Sequence, residues 1–280
     1  MSKKYDGRRL RIGHELGGTE AYVRYFVTYM SGPFRISGIM NVPTGRGPFP
    51  VLVLNHGYIE PSVYVNGQGL AREQDYLARE GYVVLHTDYR NHAQSDNAPS
   101  AERNLRLGYT VDVINAVKAI KRSSLPYLDK DRVGLLGRSM GGGVTYNALV
   151  VRPNLVDAAT VFAPVSSNTV DNFNRWIRYD REPLTEYILN EYGAPARRPE
   201  FWHGVSPRTF FGRITEPLLV HHGTVDDTCP LRWTQTTVSR LRSHGKDVQL
   251  YTYPGEGHTF YSAWPLSMRR TVAFFDRRLG

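Results

Sequence analysis

Apolar positions follow two rhythms along this chain, and their alternation predicts most of its elements. Residues 21 to 30 and 34 to 43 alternate or run apolar around Ser31-Gly32-Pro33, the pattern of an antiparallel hairpin at a sheet edge. After the turn-rich Pro43-Thr44-Gly45-Arg46-Gly47-Pro48 comes Val51-Leu52-Val53-Leu54, too short for a helix and branched enough for a central strand. Helical spacing over Gly69 to Glu80 stops at Gly81, and Tyr82 to His86 gives the next buried strand, which completes a β-α-β unit. Asn104 to Arg122 carries apolar residues at 107, 111, 114, 117 and 120, the stripe of a longer helix, and Arg132 to Leu136 is the strand after it. Helix 140 to 151, strand 158 to 162, strand 217 to 221, helix 231 to 243, strand 248 to 252 and helix 262 to 278 follow. The expectation is an α/β protein with an eight-stranded, mostly parallel sheet and helices on both faces.

Residues 165 to 211 break the alternation. They contain no evident strand but many aromatics, among them Phe173, Trp176, Tyr179, Tyr187 and Trp202. Pro183 and Gly193 frame one short helix within them, so the segment reads as a small helical cap inserted in a single domain spanning 1–280. Most of the aromatics are expected to glue the insert to the core. A minority, Trp176, Tyr179 and Trp202, are the candidates for a substrate pocket.

Composition narrows the class. With 280 residues and 41% hydrophobic content the chain can bury one large core. The segment Met1 to Leu10 is polar and basic, and no run of about 18 apolar residues occurs, so neither a leader nor a membrane span is expected. A single cysteine, Cys229, rules out an internal disulfide and suits a cytoplasmic protein. Lys plus Arg (35) against Asp plus Glu (26) leaves +9, but the arginines are scattered and not interleaved with aromatics, so no nucleic acid partner is expected. No His, Asp and Glu set has metal-ligand spacing, and neither a metal nor an organic cofactor is predicted.

The chemistry is concentrated in Val133-Gly134-Leu135-Leu136-Gly137-Arg138-Ser139-Met140-Gly141-Gly142-Gly143. Gly-x-Ser-x-Gly between a buried strand and a helix forces a sharp turn that exposes the serine hydroxyl at the carboxyl edge of the sheet. Serine is a poor nucleophile near neutral pH, so Ser139 needs a histidine base and a group that orients it. Leu218 to Val220 leads into His221-His222-Gly223-Thr224-Val225-Asp226-Asp227, which brings an aspartate to the same rim. Tyr251-Thr252-Tyr253-Pro254-Gly255-Glu256-Gly257-His258 is a last strand emptying into a loop that ends in histidine. Either aspartate could instead cap the helix near Pro230, but serine, aspartate and histidine follow one another in the chain order expected of α/β-hydrolases, which this arrangement resembles. The Met140 and Tyr58 amides are placed to form an oxyanion hole. His56, like His221 and His222, reads as a buried hydrogen-bonder, because His258 better fills the role of base.

These segments resemble the α/β-hydrolase superfamily, and within it the catalytic domain of the prolyl oligopeptidase family and its single-domain esterase relatives. The likeness runs over roughly residues 20 to 280, through Pro50-Val51-Leu52-Val53-Leu54-Asn55-His56-Gly57-Tyr58, Asp88-Tyr89-Arg90, Gly137-Arg138-Ser139-Met140-Gly141-Gly142, His222-Gly223-Thr224-Val225-Asp226-Asp227 and Gly257-His258. The resemblance implies the α/β-hydrolase fold and gives the acid role to Asp226, first of the pair. Two departures stand out. The large peptidases of the family carry a β-propeller ahead of this domain, for which the residues before the first strand leave no room. Asn91 and Ala93 stand where relatives often have glycines, which implies a differently shaped loop. Gly-x-Ser-Met-Gly-Gly with a tyrosine oxyanion donor also resembles cutinase-like polyesterases.

The expected activity is that of a serine carboxylesterase on small to medium acyl esters, through an acyl-enzyme on Ser139 with Asp226 and His258. A propeller-less aminopeptidase or oligopeptidase, a polyesterase and an acyltransferase would use the same residues. The expected partner is a small-molecule ester, with no membrane. Oligomeric state is not legible.

Overall fold

The computed structural model describes residues 5–280. The first four residues of the polar amino-terminal stretch lie outside the described part. One sheet of nine strands organises the chain, in the order β1-β2-β3-β5-β4-β6-β7-β8-β9. β1 (Arg8–Gly18), β2 (Tyr22–Ser31) and β3 (Phe34–Pro43) form an antiparallel meander at one edge. β4 (Phe49–Asn55), β5 (Val83–Thr87), β6 (Leu128–Arg138), β7 (Ala158–Phe162), β8 (Leu218–Gly223) and β9 (Val248–Tyr253) run parallel to one another.

The sheet therefore has one strand more than the eight expected, and β1 is the addition. It pairs with β2 at the outer edge, through register shifts, and most of its residues are exposed. A strand so little buried needs little apolar alternation, and in Arg-Arg-Leu-Arg-Ile-Gly-His-Glu only Leu10 and Ile12 alternate, half-buried against the core.

Helices cover both faces. Val51 and Val53 of β4 pack into a cluster with Val113, Val117, Tyr146 and Leu149, from α2 (Leu107–Lys121) and α3 (Met140–Val151). Leu52 and Leu54, pointing the other way, join Leu77 of α1 (Ala71–Arg79) and Met268 and Phe275 of α8 (Trp264–Leu279). A strand buried on both faces reads as an unbroken apolar run, which is why β4 was legible without a period. α7 (Leu231–Ser243) lies between β8 and β9.

Between β7 and β8 stand α4 (Thr169–Trp176), α5 (Glu182–Tyr192), α6 (Pro199–Gly204) and a 3-10 turn, Pro207–Arg213, with no strand among them. Phe173, Ile188 and Trp202 form a small core of their own there. The loop after β5 takes left-handed backbone at Asn91 (φ 69°) and Ala93 (φ 47°) without glycine. Asn91 offsets that cost by closing a turn on Ala98, accepting from its amide at 2.5 Å and donating to its carbonyl at 3.1 Å.

Candidate active site

The β6–α3 junction holds Ser139 at φ 56°, ψ −120°, a conformation that a non-glycine residue keeps only when its surroundings compel it. The compulsion is visible. Ser139 N donates to Phe162 O at 3.0 Å, while Ser139 O accepts from Gly142, Gly143 and Val165 amides at 3.0, 3.3 and 3.2 Å. A Cβ on Gly141 would lie 1.9 Å from Asn55 O, so only glycine lets α3 start against the end of β4. Behind the turn, Arg138 Nη2 donates to Glu73 Oε1 at 2.5 Å, and Trp264 Nε1 donates to the same oxygen at 2.8 Å. Arg138 and Glu73 are both buried, so this pair ties the elbow to α1 and α8.

On the neighbouring loops, His258 Nδ1 lies 2.9 Å from Asp226 Oδ2. Asp226 is buried, and its Oδ1 accepts the Thr228 and Cys229 amides at 2.9 and 2.8 Å. Burial by itself would raise the Asp226 pKa, but hydrogen bonds from His222, His258 and the Cys229 amide outweigh it and hold the carboxyl well below the ordinary range. Asp227 is exposed; among the described residues its carboxylate accepts only from Thr228 Oγ1, at 3.2 Å, while its carbonyl accepts from Arg175 Nη2 at 2.5 Å. Sequence left the two aspartates equivalent except through the family resemblance; the geometry separates them.

Two contacts escaped sequence reasoning, although His222 itself reads there as a buried hydrogen-bonder. His222, fully buried, places Nε2 2.8 Å from Cys229 O and 3.3 Å from Asp226 Oδ2, so a second histidine orients the acid from behind. Glu256 accepts from Tyr261 N at 2.8 Å, Ala263 N at 2.6 Å and Ser262 Oγ at 2.5 Å, shaping the loop that carries His258. A lone buried carboxylate aimed at backbone amides has no signature in sequence. Gly257-His258, two residues away, was the only hint.

His56 is buried at the end of β4, with Nδ1 2.6 Å from Gly57 O and Nε2 3.3 Å from Asp88 O. Its ring stacks on Tyr64 and Tyr89, centroids 4.7 and 4.4 Å apart, which fixes the start of the loop bearing Tyr58. A Cβ on Gly57 would come within 3.2 Å of Ser139 Cβ, so the Tyr58 loop passes close beside the serine.

A cavity of about 430 Å³ opens over this rim. Ser139, Met140, Tyr58 and His258 all line it, with Glu102, Arg106, Val144, Phe173, Trp176 and Arg181 among the other wall residues. No hydrogen bond joins Ser139 Oγ to His258 among the described residues, a looseness common before substrate binds. Of the three aromatic pocket candidates, Trp176 is in the wall. Tyr179 and Trp202 are not, which corrects the sequence expectation. Tyr179 is 78% exposed on the outside of the insert. Trp202 is buried against Phe173 and donates to Gly193 O at 3.0 Å, because its bulk serves the insert's own core. Among the described residues no group of three or more His, Cys, Asp or Glu side chains could hold a metal ion, and no helix is long and apolar enough to cross a membrane.

Comparison with known proteins agrees with this geometry. The sequence profile of the prolyl oligopeptidase family matches residues 69–280. The uncharacterized peptidase YuxL of Bacillus subtilis is 28% identical over 221 residues, which are 76% of this chain and 31% of that protein. Among solved structures, an acylaminoacyl peptidase of Pyrococcus horikoshii superposes with a TM-score of 0.73 at 21% identity, covering 92% of this chain and 42% of that one. Acetyl xylan esterase 1 of Thermoanaerobacterium gives 0.67 at 16% identity, covering 96% and 88%. The chain thus spans under half the length of the peptidases it matches and most of the esterase. The likenesses show an α/β-hydrolase fold, and the chain is a member of the prolyl oligopeptidase family of serine hydrolases.

Proposed function

We propose that this chain is a carboxylesterase for small to medium acyl esters, with Ser139 as nucleophile, His258 as base and Asp226 as its partner. With Nδ1 donating to Asp226, His258 keeps the Nε2 lone pair for the Ser139 proton. Ser139 Oγ adds to the ester carbonyl, and the Tyr58 and Met140 amides take the developing oxyanion. Collapse breaks the bond to the alcohol oxygen, which leaves with the proton returned by His258. Water, deprotonated by the same imidazole, then releases the acid and frees Ser139. Asp226 remains ionised throughout, and its depressed pKa supports that role. Cys229 lies beside this site, but burial and then the Asp226 charge push its thiol up to about 12, so it stays protonated and is no rival nucleophile. A single buried thiol suits the cytoplasm, which completes the proposal.

The choice of ester over peptide rests on one observation: Glu102, the only carboxylate in the cavity wall among the described residues, is already bound by Arg106 and Arg181. An aminopeptidase must anchor a free ammonium. Glu182 and Glu186, one helical turn apart on α5, are exposed and outside the wall. Cleavage of blocked peptides is the second reading, favoured by the peptidases among the relatives. The test compares kcat/KM for p-nitrophenyl acyl esters, aminoacyl anilides and N-acyl aminoacyl anilides. Faster turnover of either anilide than of the best ester would replace the esterase reading.

A further inference from the structure

The cavity beside Ser139 carries more positive than negative charge. Glu102 accepts Arg106 Nε at 2.7 Å, Arg106 Nη2 at 2.8 Å and Arg181 Nη1 at 2.6 Å. Burial opposes ionisation of Glu102, yet the two guanidiniums outweigh it and hold the carboxyl below its ordinary range. Burial opposes charge on Arg106 as well, and there Glu102 prevails. One carboxylate cannot neutralise two guanidiniums, so the cluster keeps a net positive charge.

Nor are the donors used up. Arg106 Nη1 meets only Met140 Sδ, at 3.8 Å, and thioether sulfur is a weak acceptor. Arg181 Nε and Nη2 have no acceptor among the described residues. Arg106 reaches this place through left-handed backbone at Leu105 and Arg106, φ 51° and 57°, and its guanidinium sits 4.2 Å from the Tyr58 ring centroid. It therefore touches the side chains of both residues proposed to donate to the oxyanion. Arg181, the residue before α5, reaches the same Glu102 oxygen as Arg106 from the insert and also lines the cavity. Free N–H groups on two fixed guanidiniums are the arrangement that recognises a carboxylate.

We infer that the cavity selects acyl groups bearing a carboxylate at their far end, hemiesters of dicarboxylic acids, with Arg106 and Arg181 as the specificity residues. The inference rests on the esterase reading and assigns its substrate class. A substrate carboxylate completes the charge balance that Glu102 leaves open. A substrate ammonium meets two guanidiniums and no available anion.

Three p-nitrophenyl esters of equal chain length test this: the adipate hemiester, the hexanoate and the ε-aminohexanoate. At low salt the adipate should exceed the hexanoate about tenfold in kcat/KM, the size expected of one charge-assisted contact, and the aminohexanoate should fall below both. The adipate-to-hexanoate ratio, read within each variant, should drop to near one in Arg181→Gln, survive in part in Arg181→Lys and rise in Glu102→Gln. A wild-type ratio of one or less, or a ratio unmoved by Arg181→Gln, overturns the inference while hexanoate turnover keeps the esterase reading. If no ester is hydrolysed, the esterase reading fails instead. Protection of Ser139 from a fluorophosphonate probe by free adipate, stronger than by ε-aminohexanoate and weakened in Arg181→Gln, then decides the inference alone, and absence of that protection overturns it.

Discussion

The rim that carries Ser139, Asp226 and His258 and the helical insert that walls the cavity are held by different forces. At the rim the backbone itself is fixed: Ser139 is locked through its own amide and carbonyl, Asp226 through the amides it accepts, and Arg138 through a buried ion pair. The insert has a separate small core around Phe173, Ile188 and Trp202. Its ties to the body are partly exposed polar contacts, such as Arg181 to Glu102, Tyr192 Oη to Asn104 Oδ1 at 3.1 Å, and Arg103 over the Tyr187 ring at 4.8 Å. Buried groups with a single satisfactory partner tolerate little change, whereas exposed polar ties cost little to rewrite. The division suits the proposed enzyme, with its chemistry at the sheet edge and its selectivity shared between Arg181 of the insert and Arg106 of the body.

The contrast can be broken most sharply at the acid. Asp226→Asn should lower kcat by about 10⁴, since the imidazole loses both its tautomer and its charge partner, while Asp227→Asn should stay within about threefold of wild type. Steady-state kinetics on one ester decides it, and the reverse ranking would move the acid to Asp227. Next in size is Glu73→Ala, which strands the buried Arg138 guanidinium and should cost about 3–5 kcal/mol in denaturant unfolding. An unchanged midpoint would show that the elbow does not need this buttress.

Acid should also separate the regions. His56, His86 and His221 are fully buried, and burial, aided by neighbouring positive groups, lowers each pKa from 6.5 to about 3. The unfolded chain therefore binds protons below about pH 6.5 that the folded protein refuses. Their stabilisation is complete above that pH and declines towards pH 3, by up to about 1.4 kcal/mol per histidine per pH unit. His203, the histidine of the insert, is exposed. Melting temperature measured from pH 7 to pH 4 should fall, and less steeply in His86→Gln. Equal slopes would remove His86 from the account. The smallest effect is expected at the insert's edge, where Tyr192→Phe removes one exposed hydrogen bond and should change stability by less than about 0.5 kcal/mol.

What sequence made legible follows the same division. The inner parallel strands announce themselves because both of their faces are buried and largely apolar, and the Ser139 turn because close packing leaves glycine as the only residue that fits. β1 stayed hidden because an exposed edge strand needs little pattern. The His222–Asp226 contact, Glu256 and the Arg138–Glu73 pair stayed hidden because each depends on a contact that local spacing does not encode, although burial of His222 was expected. Tyr179 and Trp202 were misread for a related reason: an aromatic residue in an insert looks the same in sequence whether it faces solvent, the insert's core or the cavity. Trp176 ends α4 in the cavity wall against Trp233, whereas Trp202 of α6 packs on Phe173 in the insert's core.

The claim beneath all of this is that Ser139 is the nucleophile. A fluorophosphonate probe, read by intact mass and peptide mapping, tests it directly. The account predicts one adduct per chain, on Ser139, absent from Ser139→Ala; labelling that persists undiminished in Ser139→Ala would contradict it.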